Sequence, residues 1–427
     1  MRLEIGSIEV TDIVFEAGPP RLQCGVLRVD RHALEQHLGE DTRLQRVSVD
    51  IARPGEGVRI IHALDAVEPR VRVQGRGSAF PGLLGPPETA GRGRLHRLAK
   101  VAVIQTVDEF WVHDGLSLKE AIVDMSGPGA AYSPFGATLN LVVSCSFAPE
   151  TGFRERTDAA TRASLRAAAW VAEAARRVEP DRLDVYEFVA GGRPRIGFLC
   201  FLMTEGEVHR SYVYGANLVG LPTALHPNEV LGGAVVSGDY HTACFRNVTY
   251  LQQNNPVLLA LAARHGRDID VGSVIIARAL APDPMDKQRI ARHSATLAEM
   301  LGLDGVVVAQ DSGGNATVDL MGTCTELERR GIRTVLIAEE FGGTDGGDFG
   351  LVHTVPEADA MVSTGNRDAL ITLPAVERVL GGEHILNPDL NDTIVNGPAS
   401  EAFETSLRRV LCSTNQVGSG RLTTQPG

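Results

Sequence analysis

Hydrophobic positions in the first 155 residues recur with the spacing of β-strands. Period-two or continuous apolar runs lie at 2–15, 23–30, 45–52, 57–64, 69–74, 100–106 and 138–147. Such runs are typical of strands buried on one or both faces. Two loops rich in glycine and proline, at 75–93 and 127–136, interrupt them. The pattern predicts a mostly-β N-terminal domain over residues 1–155.

Helices and strands follow along the rest of the chain. An alanine-rich helix is predicted at 158–177, because alanine has the highest helix propensity, and Pro180 ends it. Further strands are predicted at 183–189, 194–203 and 208–214, which completes an α/β segment over 156–243.

From residue 244 to residue 390 the two patterns alternate. Strand-like runs at 274–277, 305–309, 334–338 and 360–363 alternate with helical stretches at 256–265, 285–302 and 317–330. This order predicts a doubly wound parallel sheet, so we expect an α/β fold with a Rossmann-like C-terminal domain over 244–390. Residues 391–427 are predicted to be a C-terminal extension that is partly flexible.

Composition excludes several classes of partner. The 427-residue chain has a formal net charge of −12, which argues against a nucleic-acid or anionic-membrane surface. No apolar run approaches the roughly 18 residues that a membrane helix needs. The strand-like alternation that begins at Met1 is not a signal peptide. We therefore expect a cytoplasmic protein with neither a nucleic-acid nor a membrane partner.

Common cofactor motifs are missing from the sequence. The six cysteines form no CxxC pair, and there is no HExxH, so neither a disulfide framework nor a metal is expected. No GxGxxG opens a helix and no GxxxxGK[ST] occurs, so no nucleotide is expected either. Lysine occurs at Lys100, Lys119 and Lys287, none in a context that favours a Schiff base. Imine chemistry would therefore need a carbonyl that the protein itself supplies.

Cys244 is the most informative position. It follows a glycine-rich run, and Asp239, His241 and Thr242 beside it are able to move protons. A thiol here can attack the carbonyl of Ala243 to give a thioester. Elimination then leaves a dehydroalanine, which hydrolyses to a pyruvoyl group. His241, with an ordinary pKa of about 6.5, is a candidate base for a thiol of pKa about 8.5. The alternative is that Cys244 is a small buried hydrophobic residue.

Polar loops follow the predicted strands of the second half, at 311–315, 339–347 and 363–366. Ligands of doubly wound sheets bind past the carboxyl ends of the strands. The candidate substrate-binding residues on these loops are Asp311, Asn315, Glu339, Glu340, Thr364 and Asn366. The carboxylates would steer an ammonium group, orient water or cap helices, whereas Thr364 and Asn366 would bind a substrate carboxylate. Alternatively, the glycines of these loops only make tight turns.

The string His226-Pro-Asn-Glu229 also has two interpretations. His226, Asn228 and Glu229 either hold a loop in place or act at the finished substrate site. Pro227 fixes the backbone between them, which favours the structural role.

Several strings resemble the component B proprotein of glycine, sarcosine and betaine reductases, to which the D-proline reductase proprotein is related. They are Cys244-Phe-Arg-Asn-Val-Thr-Tyr250, Gln253-Asn-Asn-Pro256, His226-Pro-Asn-Glu229, Ser78-Ala-Phe-Pro-Gly82, Leu84-Gly-Pro86 and Ser363-Thr-Gly-Asn366. The similarity is expected to extend to about residue 390. In that family the proprotein is cut at the matching cysteine, and the resulting pyruvoyl group binds the substrate amine.

The resemblance implies a specific activity. The chain would cut itself between Ala243 and Cys244, and the pyruvoyl group would bind a small amine or amino acid as an imine for reductive C–N cleavage. A thiol or selenol subunit would be the partner, in a homo- or hetero-oligomer. One alternative is an uncleaved binding or scaffold subunit with an intact Cys244. Another is an ordinary Rossmann-like enzyme that uses Asp311 and Glu339 for acid–base chemistry.

Overall fold

The chain folds into several mixed sheets with helices packed on them. The computed structural model describes residues 1–108, 112–113, 116–117, 120–204, 210–238, 240, 243–311, 313–348, 350–385 and 397–418. None of the helices in these parts of the chain combines the length and the apolar character needed to cross a lipid bilayer.

The N-terminal region is mostly β, as its apolar alternation predicts. Its strands are β1 (Arg2–Glu9), β2 (Asp12–Phe15), β3 (Arg21–Gln23), β4 (Val26–Val29), β5 (Leu44–Ala52), β6 (Val58–Ile60), β7 (Ala63–Val67), β8 (Arg70–Gln74), β9 (Gly93–Ala99), β10 (Val101–Val107), β11 (Val112–His113), β12 (Leu116–Ser117), β13 (Val123–Asp124) and β14 (Leu139–Phe147). Its helices are α1 (Arg31–Leu38), α2 (Gly127–Tyr132) and α3 (Phe153–Ala172).

Helix α3 packs on a four-stranded sheet of order β5-β14-β10-β7. Ala160, Ala163 and Ala167 are among the buried residues of this helix. Small side chains on the buried face let the helix approach the sheet closely, so the alanine-rich run serves packing as well as helix propensity.

The second half contains the remaining strands and α-helices. The strands are β15 (Arg182–Glu187), β16 (Arg195–Met203), β17 (Tyr212–Val213), β18 (Ala216–Asn217), β19 (Thr223–Leu225), β20 (Val235–Val236), β21 (Asp270–Ala279), β22 (Gly305–Gln310), β23 (Arg333–Glu340), β24 (Met361–Asn366), β25 (Leu370–Leu373), β26 (Arg378–Leu380), β27 (His384–Ile385), β28 (Gly397–Pro398) and β29 (Phe403–Ser406). The helices are α4 (Pro227–Leu231), α5 (Thr249–Gln253), α6 (Pro256–Arg264), α7 (Pro284–Met300) and α8 (Asn315–Glu328).

Six of these strands form one sheet, in the order β19-β21-β16-β22-β23-β24. All neighbouring pairs are parallel except β19 and β21. Along β16, Phe198 and Cys200 belong to one hydrophobic cluster and Leu199 and Phe201 to another, so this central strand is buried on both faces. β16 precedes residue 243 while β21 to β24 follow it, so the sheet extends across the predicted limit at that residue. The doubly wound, Rossmann-like topology remains a prediction.

The predicted C-terminal extension contains an exposed part near residues 398–404 and a buried part at 409–418. Strand β29 pairs with β25 in antiparallel register. The five residues from Cys412 to Gln416 are each 0% exposed. They lie against the turn that contains Cys244, where the Thr414 amide donates to the Cys244 carbonyl oxygen at 3.2 Å.

Candidate functional site

Cys244 lies in a single 3₁₀ turn formed by Ala243–Phe245. The turn is inside the protein, and the Cys244 side chain is fully buried. Asp239, His241 and Thr242 lie outside the described residues, so His241 remains a predicted processing base.

Glu339 lies next to the Cys244 thiol. The Sγ atom of Cys244 donates to the Oε2 atom of Glu339 at 3.5 Å. Glu339 is near the carboxyl end of β23, within the parallel sheet. Glu339 is a candidate because it lies at a strand end. In the structure, this position places its carboxylate beside the Cys244 thiol.

Two further groups bind the Glu339 carboxylate. Arg367 donates from Nη1 to Oε1 at 2.8 Å, and the Thr414 hydroxyl donates to Oε2 at 2.9 Å. Burial raises the pKa of Glu339, while Arg367 and Thr414 act in the opposite direction. Burial and the neighbouring Glu339 carboxylate also raise the pKa of the Cys244 thiol. A carboxylate with a raised pKa is a stronger base for this weakly acidic thiol than an exposed one.

Arg367 is itself held between two aromatic rings. Its guanidinium carbon lies 5.3 Å from the centroid of Phe245 and 4.4 Å from that of Phe341. Both distances allow a cation–π interaction. The two rings hold in place the guanidinium that neutralises the Glu339 carboxylate. One of them, Phe245, directly follows Cys244 in the sequence.

The loop that contains Asp311 packs against the same region. Asp311 accepts the backbone N–H of Asn247 through Oδ1 at 3.1 Å. A Cβ atom on Gly313 would lie 2.9 Å from Oε1 of Glu339 and 2.3 Å from the Phe341 ring, so this close approach requires glycine. Asn315 is exposed at the start of α8.

The remaining loop candidates are engaged within the protein. Thr364 donates its hydroxyl to the Thr414 carbonyl at 2.7 Å. Asn366 accepts the Gly342 N–H through Oδ1 at 3.1 Å and donates to the Gly343 carbonyl at 2.8 Å. Glu340 accepts the Ser363 hydroxyl. In this conformation these side chains hold the strand-end loops together.

The His226-Pro-Asn-Glu229 string forms the start of α4. His226 accepts the Asn228 N–H at 3.2 Å, and the Glu229 carboxylate accepts the His226 N–H at 2.8 Å, which is a capping box. Asn228 donates to the carbonyls of Met1 at 3.3 Å and Tyr186 at 3.0 Å. These contacts match the structural interpretation of the string.

Sequence reasoning missed the groups that surround the Cys244–Glu339 pair. Arg367 directly follows the Ser363–Asn366 string, and this position could have indicated that Arg367 lies at the site. Cys412, Thr414 and Asn415 lie beyond residue 390, in a polar run with no apolar periodicity. Within the described residues, no three His, Cys, Asp or Glu side chains are placed to hold a metal ion. All six cysteines are free thiols.

Comparison with known proteins decides the family. The family model for glycine/sarcosine/betaine reductase component B subunits matches residues 1–425. The chain belongs to this family. Because the match covers nearly the whole chain, the expectation that the similarity stops near residue 390 is wrong, and the segment around Thr414 is part of the family's sequence.

Relatives from all three reductases of the component B family match the chain. Component B subunits alpha and beta of the glycine reductase complex of Peptoclostridium acidaminophilum are 38% identical, with 99% of both chains covered. Component B subunit alpha of the sarcosine reductase complex of the same organism is 34% identical, again over 99% of both chains. Its betaine reductase counterpart is 31% identical over 89% of this chain and 88% of the relative. No solved structure gives a significant match.

Proposed function

We propose that this chain is a precursor that cuts itself between Ala243 and Cys244, and that Cys244 becomes the pyruvoyl group of a reductase-complex subunit. The contact of 3.5 Å between the Cys244 thiol and the Glu339 carboxylate is the main support. This contact places a nucleophile, the thiol, beside a base, the carboxylate, in the protein interior. The relative described as component B subunits alpha and beta, two subunits in one sequence, agrees with such a precursor.

The cleavage needs no external oxidant. The thiol gives its proton to Glu339, and Sγ bonds to the Ala243 carbonyl carbon as the C–N bond breaks and the nitrogen takes the proton. Loss of the Cα proton of residue 244 then breaks its Cβ–S bond, leaving a thiocarboxylate on Ala243 and dehydroalanine at residue 244. One water converts the dehydroalanine to the ketone and releases ammonia, so all atoms balance.

The residues present fit a pyruvoyl group at position 244. The turn is closed to solvent, and the neighbouring Glu339 and Arg367 provide an acid–base group and a fixed positive charge. A pyruvoyl group supplies an electrophilic ketone that condenses with a substrate amine and draws electrons from its Cα–N bond. The chain's own residues hold and screen that position.

The nucleophile that attacks the substrate comes from a partner subunit in this proposal. Burial raises the pKa of Cys145, Cys200, Cys324 and Cys412, and buried thiols of this kind are inert. We propose that a thiol or selenol on another component of the reductase complex completes the reaction, which is reductive C–N cleavage of a small amine or amino acid.

Trapping of the amine tests this proposal. Purified protein is treated with borohydride together with glycine or sarcosine, and each fragment is weighed. We expect the amine's mass on the first residue of the fragment that starts at position 244, and no label on Cys244→Ala. A fragment that begins at residue 244 and takes up no amine would contradict the proposal. Unlabelled protein with every amine would favour an uncleaved scaffold subunit.

A further inference from the structure

The carbonyl oxygen of Ala243 accepts two backbone N–H groups. The Cys412 amide donates to it at 2.9 Å and the Arg246 amide at 3.4 Å. In the cleavage proposed above, negative charge develops on this oxygen when Sγ attacks the carbonyl carbon. Backbone N–H groups directed at a developing oxyanion are the usual composition of an oxyanion hole. The stronger donor comes from the far end of the chain.

Cys412 has an unusual backbone. Its φ is +63°, in the left-handed region that residues with a side chain seldom adopt. Its thiol donates to the Arg246 carbonyl at 3.3 Å, and the Asn415 side-chain amide donates to the same carbonyl. Strained conformations of this kind persist when their surroundings over-determine them, and they concentrate at functional sites.

Thr414, two residues on, connects the same segment to the base. Its hydroxyl shares Oε2 of Glu339 with the Cys244 thiol. Its own carbonyl accepts the Thr364 hydroxyl at 2.7 Å, which fixes the residue from the other side. All these side chains are buried, so water does not compete for the hydrogen bonds.

We infer that the C-terminal segment from Cys412 to Asn415 is part of the cleavage machinery, and this inference rests on the self-cleavage proposed above. The Cys412 amide stabilises the oxyanion on Ala243. The Thr414 hydroxyl is a positioning group that directs Oε2 of Glu339 toward the thiol. The peptide bond to be cut lies mid-chain, and the end of the same chain completes the site, so cleavage waits until the C-terminal segment has been made and has folded.

The first test isolates the Cys412 amide. The full chain is made by cell-free translation, translation is stopped, and conversion of the intact chain to fragments is followed by mass. Cys412→Ala is compared with the same chain carrying lactic acid at position 412, which replaces the amide N–H by an ester oxygen and keeps the alanine side chain. Cys412→Ala is the reference for this comparison, because lactic acid is the hydroxy-acid counterpart of alanine. The lactic-acid chain should cleave on the order of 10²–10³ times more slowly.

The second test concerns Thr414. Thr414→Val should cleave at least about tenfold more slowly, because it loses one hydrogen bond to the carboxylate. Thr414→Ser, which keeps the hydroxyl, should restore the rate. The charged and titratable groups facing Glu339 are Arg367 and Cys244, and neither changes in these variants. The hydrogen bond from Thr414 lowers the pKa of Glu339, so its loss in Thr414→Val raises that pKa. The acid limb of the rate profile should therefore move to higher pH in this variant.

The outcomes separate the two proposals. A wild-type chain that never cleaves overturns both. If the wild-type chain cleaves, two results together overturn this inference alone. Thr414→Val would keep the wild-type rate and pH profile, and the lactic-acid chain would keep the rate of Cys412→Ala. A slow Thr414→Ser with an unshifted profile would mean that the position only supports the fold, which also contradicts the inference.

Discussion

The thiol of Cys244 and the carboxylate of Glu339 lie 3.5 Å apart in the interior, with the two residues 0% and 1% exposed. A turn in the middle of the chain and the end of strand β23 meet at this contact. Burial makes the thiol a weak acid and the carboxylate a stronger base. In the cleavage proposed above, this pair transfers the proton that activates the thiol.

Glu339→Gln should stop most of the cleavage. The amide has nearly the same shape but cannot take the thiol proton, and a positioned general base contributes on the order of 10²–10⁴-fold to a rate. Glu340→Gln is the matched control, because Glu340 is the next residue and binds Ser363 instead. The fraction of intact chain against time distinguishes the two variants. Equal rates for both would rule out Glu339 as the base.

Cleavage should slow as the pH falls. Glu339 accepts a proton only when it is ionised, and its pKa is raised by burial, so the active fraction is lost as the pH decreases through that raised value. Arg367→Met removes the cation that opposes this shift and should move the profile to still higher pH. Arg378→Met, which removes a half-exposed surface cation, should leave the profile in place. A profile that is identical in all three proteins would contradict this electrostatic role of Arg367.

Asp311 should act as a structural acceptor rather than as an acid or base. Asp311→Asn keeps an oxygen for the Asn247 N–H and should preserve cleavage. Asp311→Ala leaves that buried N–H without its acceptor and should cost about 1–3 kcal/mol in the free energy of unfolding. Denaturant unfolding in the Cys244→Ala background measures this cost. Loss of reductase activity in Asp311→Asn with cleavage intact would instead favour direct acid–base work by Asp311.

Regular structure in the second half could be predicted because the central strands of the six-stranded sheet are buried on both faces. Strands β16 and β22 are nearly continuous apolar runs, and the predicted run 305–309 lies within β22. Helix α1 was missed because it is short and mostly polar, although Asp30 caps it by accepting the Ala33 N–H at 3.0 Å. A single N-cap residue is too weak a signal to predict a short helix among many predicted strands.

The candidate site was predictable only in part. Glu339 follows from its place at a strand end, where parallel sheets bind ligands. Thr414 does not follow, because a run of small polar residues predicts a loop, and the burial of its segment depends on contacts with residues about 170 positions away. One of these is the bond from Asn415 to Asn247 at 2.9 Å. Long-range polar contacts of this kind leave no periodic trace in the sequence.

His226 should contribute to stability and not to cleavage. His226→Ala removes the acceptor for the Asn228 N–H at the start of α4 and should cost about 0.5–2 kcal/mol. His226→Asn keeps a capping oxygen and should recover most of that loss. Both variants should cleave at the wild-type rate in folded protein. If instead His226→Asn were fully stable and failed to bind substrate, the residue would belong to the finished substrate site.

Intact mass of the purified full-length chain, beside Cys244→Ala, tests the central claim most directly. Self-cleavage predicts two species from the wild-type chain, residues 1–243 and residues 244–427, with the second lighter than a fragment that begins in cysteine because a ketone has replaced its amine and thiol. Cys244→Ala should give one intact species, because alanine cannot form the thioester. A wild-type chain that stays at 45.6 kDa after prolonged incubation above neutral pH with its partner component would contradict the account.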